Sequence, residues 1–370
     1  MKKFIFSIGL LCSLVAILMV SAPNAYAEKK TKKQVQKAAE PKKPANTISK
    51  SPYIGAIAVD AATGKVLFED NADGKGWPAS ITKLMDLLVL LEAIESKRLS
   101  LQDQVTVTAE ASRIGGSQVY LKENEVFTVD ELLYALVVQS ANDAAVALAL
   151  HFAGSKEAFV ELMNKRAQEL GMKETVFHSV HGLPPGKDQS PDVSTPREMT
   201  ILCRALLKYP DTLRYTATRE HTFRPSAKEP FIMRSHNHLL GNMEGCDGLK
   251  TGYFTAAGFS IAATAIKKNQ RAIAVVFGSE DRKTRDAKAR DILSKGLMTL
   301  VASAPPSAPV MVQAQAPQEK AEKGEEAKAE TKPSEVIEIK KSTLVTGAVV
   351  VFCFIAGFIL LRSVSRRNRD

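Results

Sequence analysis

Apolar residues change their spacing along this chain, and the changes divide it into parts. Residues 53–70, YIGAIAVDAATGKVLFED, hold two apolar β-prone runs flanking Ala-Ala-Thr-Gly, which predicts a hairpin. Residues 80–96, SITKLMDLLVLLEAIES, are apolar almost all round, the pattern of a helix buried at the centre of a domain. Residues 128–170 read as helices. Thr128 and Glu131 have the spacing of a capping box, and SKEAFVELMNKRAQELG predicts a second long helix. Another helix is expected to start at Thr195, with Pro196 in its first turn and Glu198 completing a box. The final third turns to strands, GLKTGYF, AGFSIAATAIK and RAIAVVFGS, and then to a helix over 284–300. Strands at both ends with helices between predict one sheet built from both ends, with a helical portion inserted. That is an α+β layered domain over 51–300. No internal repeat is visible.

The flanks have a different character. Residues 1–27 carry two lysines, an apolar run and Ala25-Tyr26-Ala27, as a cleavable signal peptide does; an uncleaved anchor helix is the rival reading. Residues 28–50 are Lys-rich with little to bury and read as a disordered basic leader. Residues 301–341 are a low-complexity stalk, Pro-rich and then mixed in charge. Residues 342–361 hold no charge, and a run of that length matches a bilayer. The basic tail 362–370 follows at once, which puts it on the cytoplasmic side. The expected location is the cell membrane, single-pass, with the domain on its extracytoplasmic side.

Charge then changes the picture less than its total suggests. The formal charge is +10, but eight Lys against two Glu fall in 28–50 and four Arg against one Asp in 362–370. The domain is close to neutral, so no nucleic-acid partner is implied. Cysteine adds little: Cys12 lies in the signal and Cys353 in the span, leaving Cys203 and Cys246 to pair or to stay as separate thiols.

Three short motifs carry candidate chemistry. In PASITKLM, Ser80 and Lys83 stand three apart at the start of the central helix, close enough to meet. The free N–H groups of a helix start suit an oxyanion. A lysine that loses its proton, helped by burial and a second cation, could act as base for serine. Alternatively, Ser80 caps the helix and Lys83 reaches solvent. In VVQSANDAAVALAL, Ser140-Ala141-Asn142 falls between two predicted helices, where both polar residues could simply be caps. In DGLKTGYF, Lys250-Thr251-Gly252 stands at the end of a strand whose edge could hold an extended peptide, Gly252 letting it come close. A surface strand end with a turn glycine is the plainer alternative.

Together, SITK, SAN and KTG resemble the three signatures of the serine D-alanyl-D-alanine carboxypeptidases, the low-molecular-mass penicillin-binding proteins. The likeness spans about 51–300 and extends to GGSQVYL, NDAAVALA, HGLP and AVVFGSEDRKTRDAKA. It implies a penicillin-binding/β-lactamase-like fold, an antiparallel sheet flanked by helices with a helical subdomain. It implies a peptidoglycan stem peptide ending in D-Ala-D-Ala as substrate and β-lactams as covalent ligands. By motif, Ser80 is the implied nucleophile and Lys83 its base. Ser140 and Asn142 would relay protons and hold the substrate amide. Lys250, Thr251 and Gly252 would line the carboxylate side, and the N–H groups of Ser80 and Tyr253 would form the oxyanion hole. Arg285 falls where these enzymes keep a cation, or lies on the surface. Many relatives carry a β-rich second domain and an amphipathic anchor; here a stalk and a span take that place.

Other chemistries have weaker support. His178 with His181, and His236 with His238, could begin a zinc site, but no third ligand stands at motif spacing; no metal or cofactor is expected. No G-x-S-x-G elbow is present, and no E-x-x-L-N loop of a class A β-lactamase. A β-lactamase and a non-catalytic wall-binding scaffold remain as alternatives.

Overall fold

The computed structural model describes residues 50–303. The expected signal, span and basic tail lie outside the described residues, as do nearly all of the leader and stalk. The domain margins move slightly outward from 51–300. Lys50 bridges Ser279, its N–H donating to Gly278 O at 2.9 Å, and the last helix continues to Ser303.

The chain opens with the expected hairpin, β1 (Gly55–Asp60) and β2 (Val66–Asp70), paired antiparallel. A 3₁₀ turn (Ala79–Thr82) leads into helix α1 (Lys83–Glu95). Then come β3 (Gln104–Thr106), α2 (Ala109–Arg113) and β4 (Val126–Thr128), with β3 and β4 forming a separate ribbon. Helix α3 (Val129–Tyr134), a π turn (Ala135–Gln139), α4 (Asn142–Ala153) and α5 (Lys156–Glu169) continue the insertion. After α6 (Pro196–Leu206) and α7 (Asp211–Thr216), β5 (Glu220–Phe223) and β6 (Phe231–Arg234) make a second ribbon. Strands β7 (Cys246–Phe254), β8 (Gly258–Lys267) and β9 (Gln270–Ser279) and helix α8 (Arg282–Ser303) complete the domain. The main sheet runs β2-β1-β9-β8-β7, antiparallel throughout. It is built from both ends of the domain, as the pattern predicts. The two ribbons were not foreseen, since strands of three or four residues leave almost no periodic signal.

Alternation along the strands sorts two cores. On one face Ile57 and Val59 of β1 and Ile273, Val275 and Phe277 of β9 meet the helical insertion. On the other, Ala56 and Ala58 of β1 and Ala272 and Ala274 of β9 meet Ile292, Leu293 and Leu297 of α8. The small residues let α8 lie close to the sheet. Helix α1 is buried nearly along its length, so it is the central helix its sequence implies.

Local signals fare unevenly. The Thr128–Glu131 capping box forms in both directions. At α6 it is only half made. Thr195 accepts from the Glu198 N–H, but the Glu198 carboxylate accepts from Glu174 N and Thr175 Oγ1 instead. A tertiary demand overrides the local one, because the approaching loop brings two donors of its own. Among the described residues, no helix is long and apolar enough to cross a membrane. Cys203 is buried and Cys246 half-buried, and both are free thiols.

Candidate active site

Ser80 lies in the 3₁₀ turn before α1, not within the α-helix. Residues three apart eclipse in a 3₁₀ turn, so Ser80 and Lys83 face each other. Lys83 Nζ stands 3.2 Å from Ser80 Oγ. The turn has no side-chain cap, and Lys83 is fully buried, so neither the capping nor the solvent-reaching alternative applies.

Two glycines make room for this turn. A Cβ on Gly252 would lie 2.2 Å from Pro78 O, and one on Gly182 would lie 2.1 Å from Ala79 O. The turn is therefore clamped between β7 and the loop carrying HGLP. Ala79 itself has φ of 50°, a strained value that such clamping holds. Lys250-Thr251-Gly252 thus lies inside edge strand β7 and not at a strand end. Gly252 admits the serine turn, an approach the sequence did not suggest.

Lys83 Nζ also donates to Asn142 Oδ1 and to His181 O, each at 2.7 Å. Asn142 Nδ2 donates to Gly115 O at 2.7 Å. Asn142, expected on the substrate amide, thus also holds the lysine, with one of its two Nδ2 hydrogens taken by Gly115 O. Ser140 has φ of 61°, a left-handed residue between the π turn and α4. The N-cap of α4 is Ala141, without a side-chain cap bond, so neither Ser140 nor Asn142 is there as a cap.

A cavity of about 230 Å³ opens beside Ser80. Ser117 and Ser140 line it together with Thr251, Gly252 and Tyr253 of β7. Its lining also holds two cations, Arg282 and Arg285 of α8, and His236 and His238. Arg285 is buried rather than on the surface. Its Nε donates to Asp286 Oδ1 at 2.9 Å, while its Nη2 lies 2.7 Å from the same oxygen, off the line of a hydrogen bond. Lys250 is 3% exposed, with Nζ donating to Thr251 O at 3.0 Å. The Tyr253 ring stacks on Phe259 with centroids 4.0 Å apart. No lining side chain is acidic.

Burial sets the protonation states. It lowers the Lys83 pKa to about 8, against the pull of Asp86, Asp192 and Asp143. Burial, then repulsion from Lys83 and Arg285, drives Lys250 well below the ordinary lysine range. The second cation expected beside Lys83 is Lys250, close enough for the two amines to repel each other. Burial, with nearby cations, also lowers His236 to about 4 and His181 to about 3. His236 and His238 therefore share a wall with cations, and among the described residues no His, Cys, Asp or Glu cluster could hold a metal ion.

Several residues of the site were not foreseen. Ser117 and Arg282 lie in GGSQVYL and AVVFGSEDRKTRDAKA without being singled out there, Phe259 carries no motif, and His181 acts through its carbonyl, which no residue type announces. Arg282 stands one turn before Arg285 on α8, a spacing that could have flagged it. Asp86 is the lone acid inside the apolar run after Lys83, a signal visible in the sequence.

A serine paired with a buried lysine at the edge of an antiparallel sheet, facing a cationic cavity, defines a serine peptidase of the penicillin-binding fold. The sequence profile of the D-alanyl-D-alanine carboxypeptidases, peptidase family S11, matches residues 38–281. The chain belongs to that family. It is 36% identical over 281 residues to the D-alanyl-D-alanine carboxypeptidase DacF of Bacillus subtilis, covering 76% of this chain and 68% of the relative. It is 36% identical over 248 residues to DacC of Escherichia coli, covering 65% of this chain and 60% of the relative. The match thus takes in about three fifths to two thirds of those relatives' length. The ampicillin-bound penicillin-binding protein D2 of Listeria monocytogenes superposes with a TM-score of 0.59 at 29% identity, covering 66% of this chain and 96% of that one.

Proposed function

We propose that this protein removes the terminal D-alanine from peptidoglycan stem peptides ending in D-Ala-D-Ala, through an acyl-Ser80 intermediate, and that penicillins acylate the same serine. The observation that carries this reading is the 3.2 Å approach of a fully buried lysine amine to Ser80 Oγ. With a pKa near 8, a useful fraction of Lys83 is neutral at neutral pH, and only the neutral amine can act as base.

The neutral amine takes the hydroxyl proton as Oγ attacks the carbonyl carbon of the penultimate D-alanine. The N–H groups of Ser80 and Tyr253 hold the oxyanion. The proton passes from Lys83 by way of Ser140 to the departing D-alanine nitrogen, leaving an ester on Ser80. Water then attacks that ester, its proton taken by the same Lys83–Ser140 pair, and Ser80 is restored. Asn142 and His181 O fix the lysine throughout. Thr251 and Arg285 face the terminal carboxylate.

The cavity lining favours this reading over a β-lactamase. A penicilloyl ester keeps its leaving group tethered, and no acidic side chain lines the cavity to activate water past it. The intact Ser80–Lys83 contact speaks against a non-catalytic scaffold. The test is a purified protein offered a fluorescent penicillin and a D-Ala-D-Ala peptide. Covalent label and D-alanine release are both expected, and both are expected to vanish in Ser80→Ala. Label that survives in Ser80→Ala sinks the assignment, and rapid loss of label with penicillin turnover favours the β-lactamase.

We further propose that the chain is exported by its first 27 residues and held at the membrane by 342–361, with the domain outside the cytoplasm.

A further inference from the structure

Three carboxylates act on the buried Lys83, and they are not alike. Asp192 accepts from His178 N, Ser179 N, Ser179 Oγ and Thr82 Oγ1. Asp143 accepts from Val119 N and Leu121 N. Each of these two ties a loop to the site, and its charge is already met by hydrogen bonds. Asp86 is different. It is 2% exposed, and neither carboxylate oxygen has a hydrogen-bond partner. It stands three residues after Lys83 on α1, so the two side chains share a helix face. Buried polar atoms are nearly always hydrogen-bonded, and an orphan needs a reason. Packing supplies none, because Thr, Val or Leu would fill an apolar helix position without the desolvation cost.

We propose that Asp86 is the counter-ion of the Lys83 ammonium, and that through it this helix sets the pH at which Lys83 becomes a base. Asp86 touches no substrate; it is a positioning residue acting through Lys83. No hydrogen bond meets its carboxylate, and Lys83 is the cation that favours its ionised form. The largest opposition to the burial that depresses Lys83 comes from Asp86, ahead of Asp192 and Asp143. In return, burial pushes the Asp86 carboxyl up, and Lys83 pulls it back. The charged groups facing the pair are few. Asp192 faces both from the loop before α6, and Asp143 faces Lys83 from α4. Lys250 of β7, His181 and His236 also interact with Lys83 across the site.

This inference rests on the reading of Ser80 and Lys83 as nucleophile and base, and the test keeps the two apart. The second-order rate of Ser80 labelling by a fluorescent penicillin is measured from pH 5 to 10 for the wild-type protein and for Asp86→Asn, Asp86→Thr and Asp86→Glu. Removing an opposite charge destabilises the ammonium, so the Lys83 pKa falls and the rising limb moves to lower pH. A shift of about one unit is expected for Asn and Thr, with labelling below the limb up to about tenfold faster. Glu keeps the charge and is expected to return the limb toward the wild-type position. Thr is a small residue tolerated within helices by bonding back to a carbonyl, so it serves if Asn fails to fold; circular dichroism and a thermal melt verify each variant. A limb that stays in place or moves up in a folded variant overturns the inference. A wild-type protein without label on Ser80 would instead sink the underlying reading.

Discussion

At the scale of single residues, the site depends on what is missing as much as on what reacts. Gly252 and Gly182 matter because a Cβ on either would collide with the backbone of the serine turn. Gly252→Ala is therefore expected to push the turn off β7. The cost should be about 1–3 kcal/mol of stability, as for overpacking elsewhere, and penicillin labelling should fall more than tenfold, because Ser80 moves relative to Lys83. A thermal melt and the labelling rate check this together. A variant that labels at the wild-type rate would show that the contact has no bearing on Ser80. The motif K-T-G was legible as a functional signal. The reason for its glycine was not, since the partner, Pro78 O, comes from a segment more than 170 residues away and only the folded chain brings it near.

At the scale of elements, strong local signals held and were sometimes redirected. The hairpin β1–β2, the apolar helix α1 and the capping box of α3 formed where their residues predict. The start of α6 kept Thr195 as N-cap but lost the reciprocal half of its box to Glu174 and Thr175. The two residues should then differ in worth. Thr195→Ala is expected to cost about 1 kcal/mol, a lost cap. Glu198→Ala leaves the Glu174 N–H without its acceptor and the buried Thr175 hydroxyl with only Ser194 Oγ, and is expected to cost more, about 1–3 kcal/mol. Urea midpoints of the two variants measure the order. Equal losses, or a larger loss at Thr195, would mean that Glu198 acts only as a local cap. The ribbons β3–β4 and β5–β6 escaped the sequence reading because each strand is too short for a period to show. The π turn before Ser140 escaped because its residues are those of any buried helix.

At the scale of the whole molecule, the proposed topology has a direct consequence. If residues 342–361 span the membrane with the domain outside, protease added to intact spheroplasts should cut in the stalk. It should release a soluble fragment of about residues 50–303 that still labels with penicillin. The fragment is expected to stay folded because it holds the whole sheet: β1 from the start of the domain pairs with β9 from its end, and α8 covers one face. A domain protected from external protease would refute the orientation. Release of a fragment that no longer labels would mean that the domain needs its flanks.

What the sequence determined by itself was everything carried by local pattern or by residue type at fixed spacing. That includes the α+β plan, the central helix, the near-neutral domain between charged tails and the three motifs that meet at the site. What only the tertiary structure decided was how distant segments constrain one another. It placed Ser80 in a 3₁₀ turn eclipsing Lys83, brought Asn142 against the lysine, and lodged Asp86 on the lysine's helix face without a hydrogen-bond partner. The physical reason is common to all three. Period and propensity act between neighbours along the chain, whereas hydrogen-bond satisfaction, burial and steric clearance are settled between segments that meet only when the domain has closed.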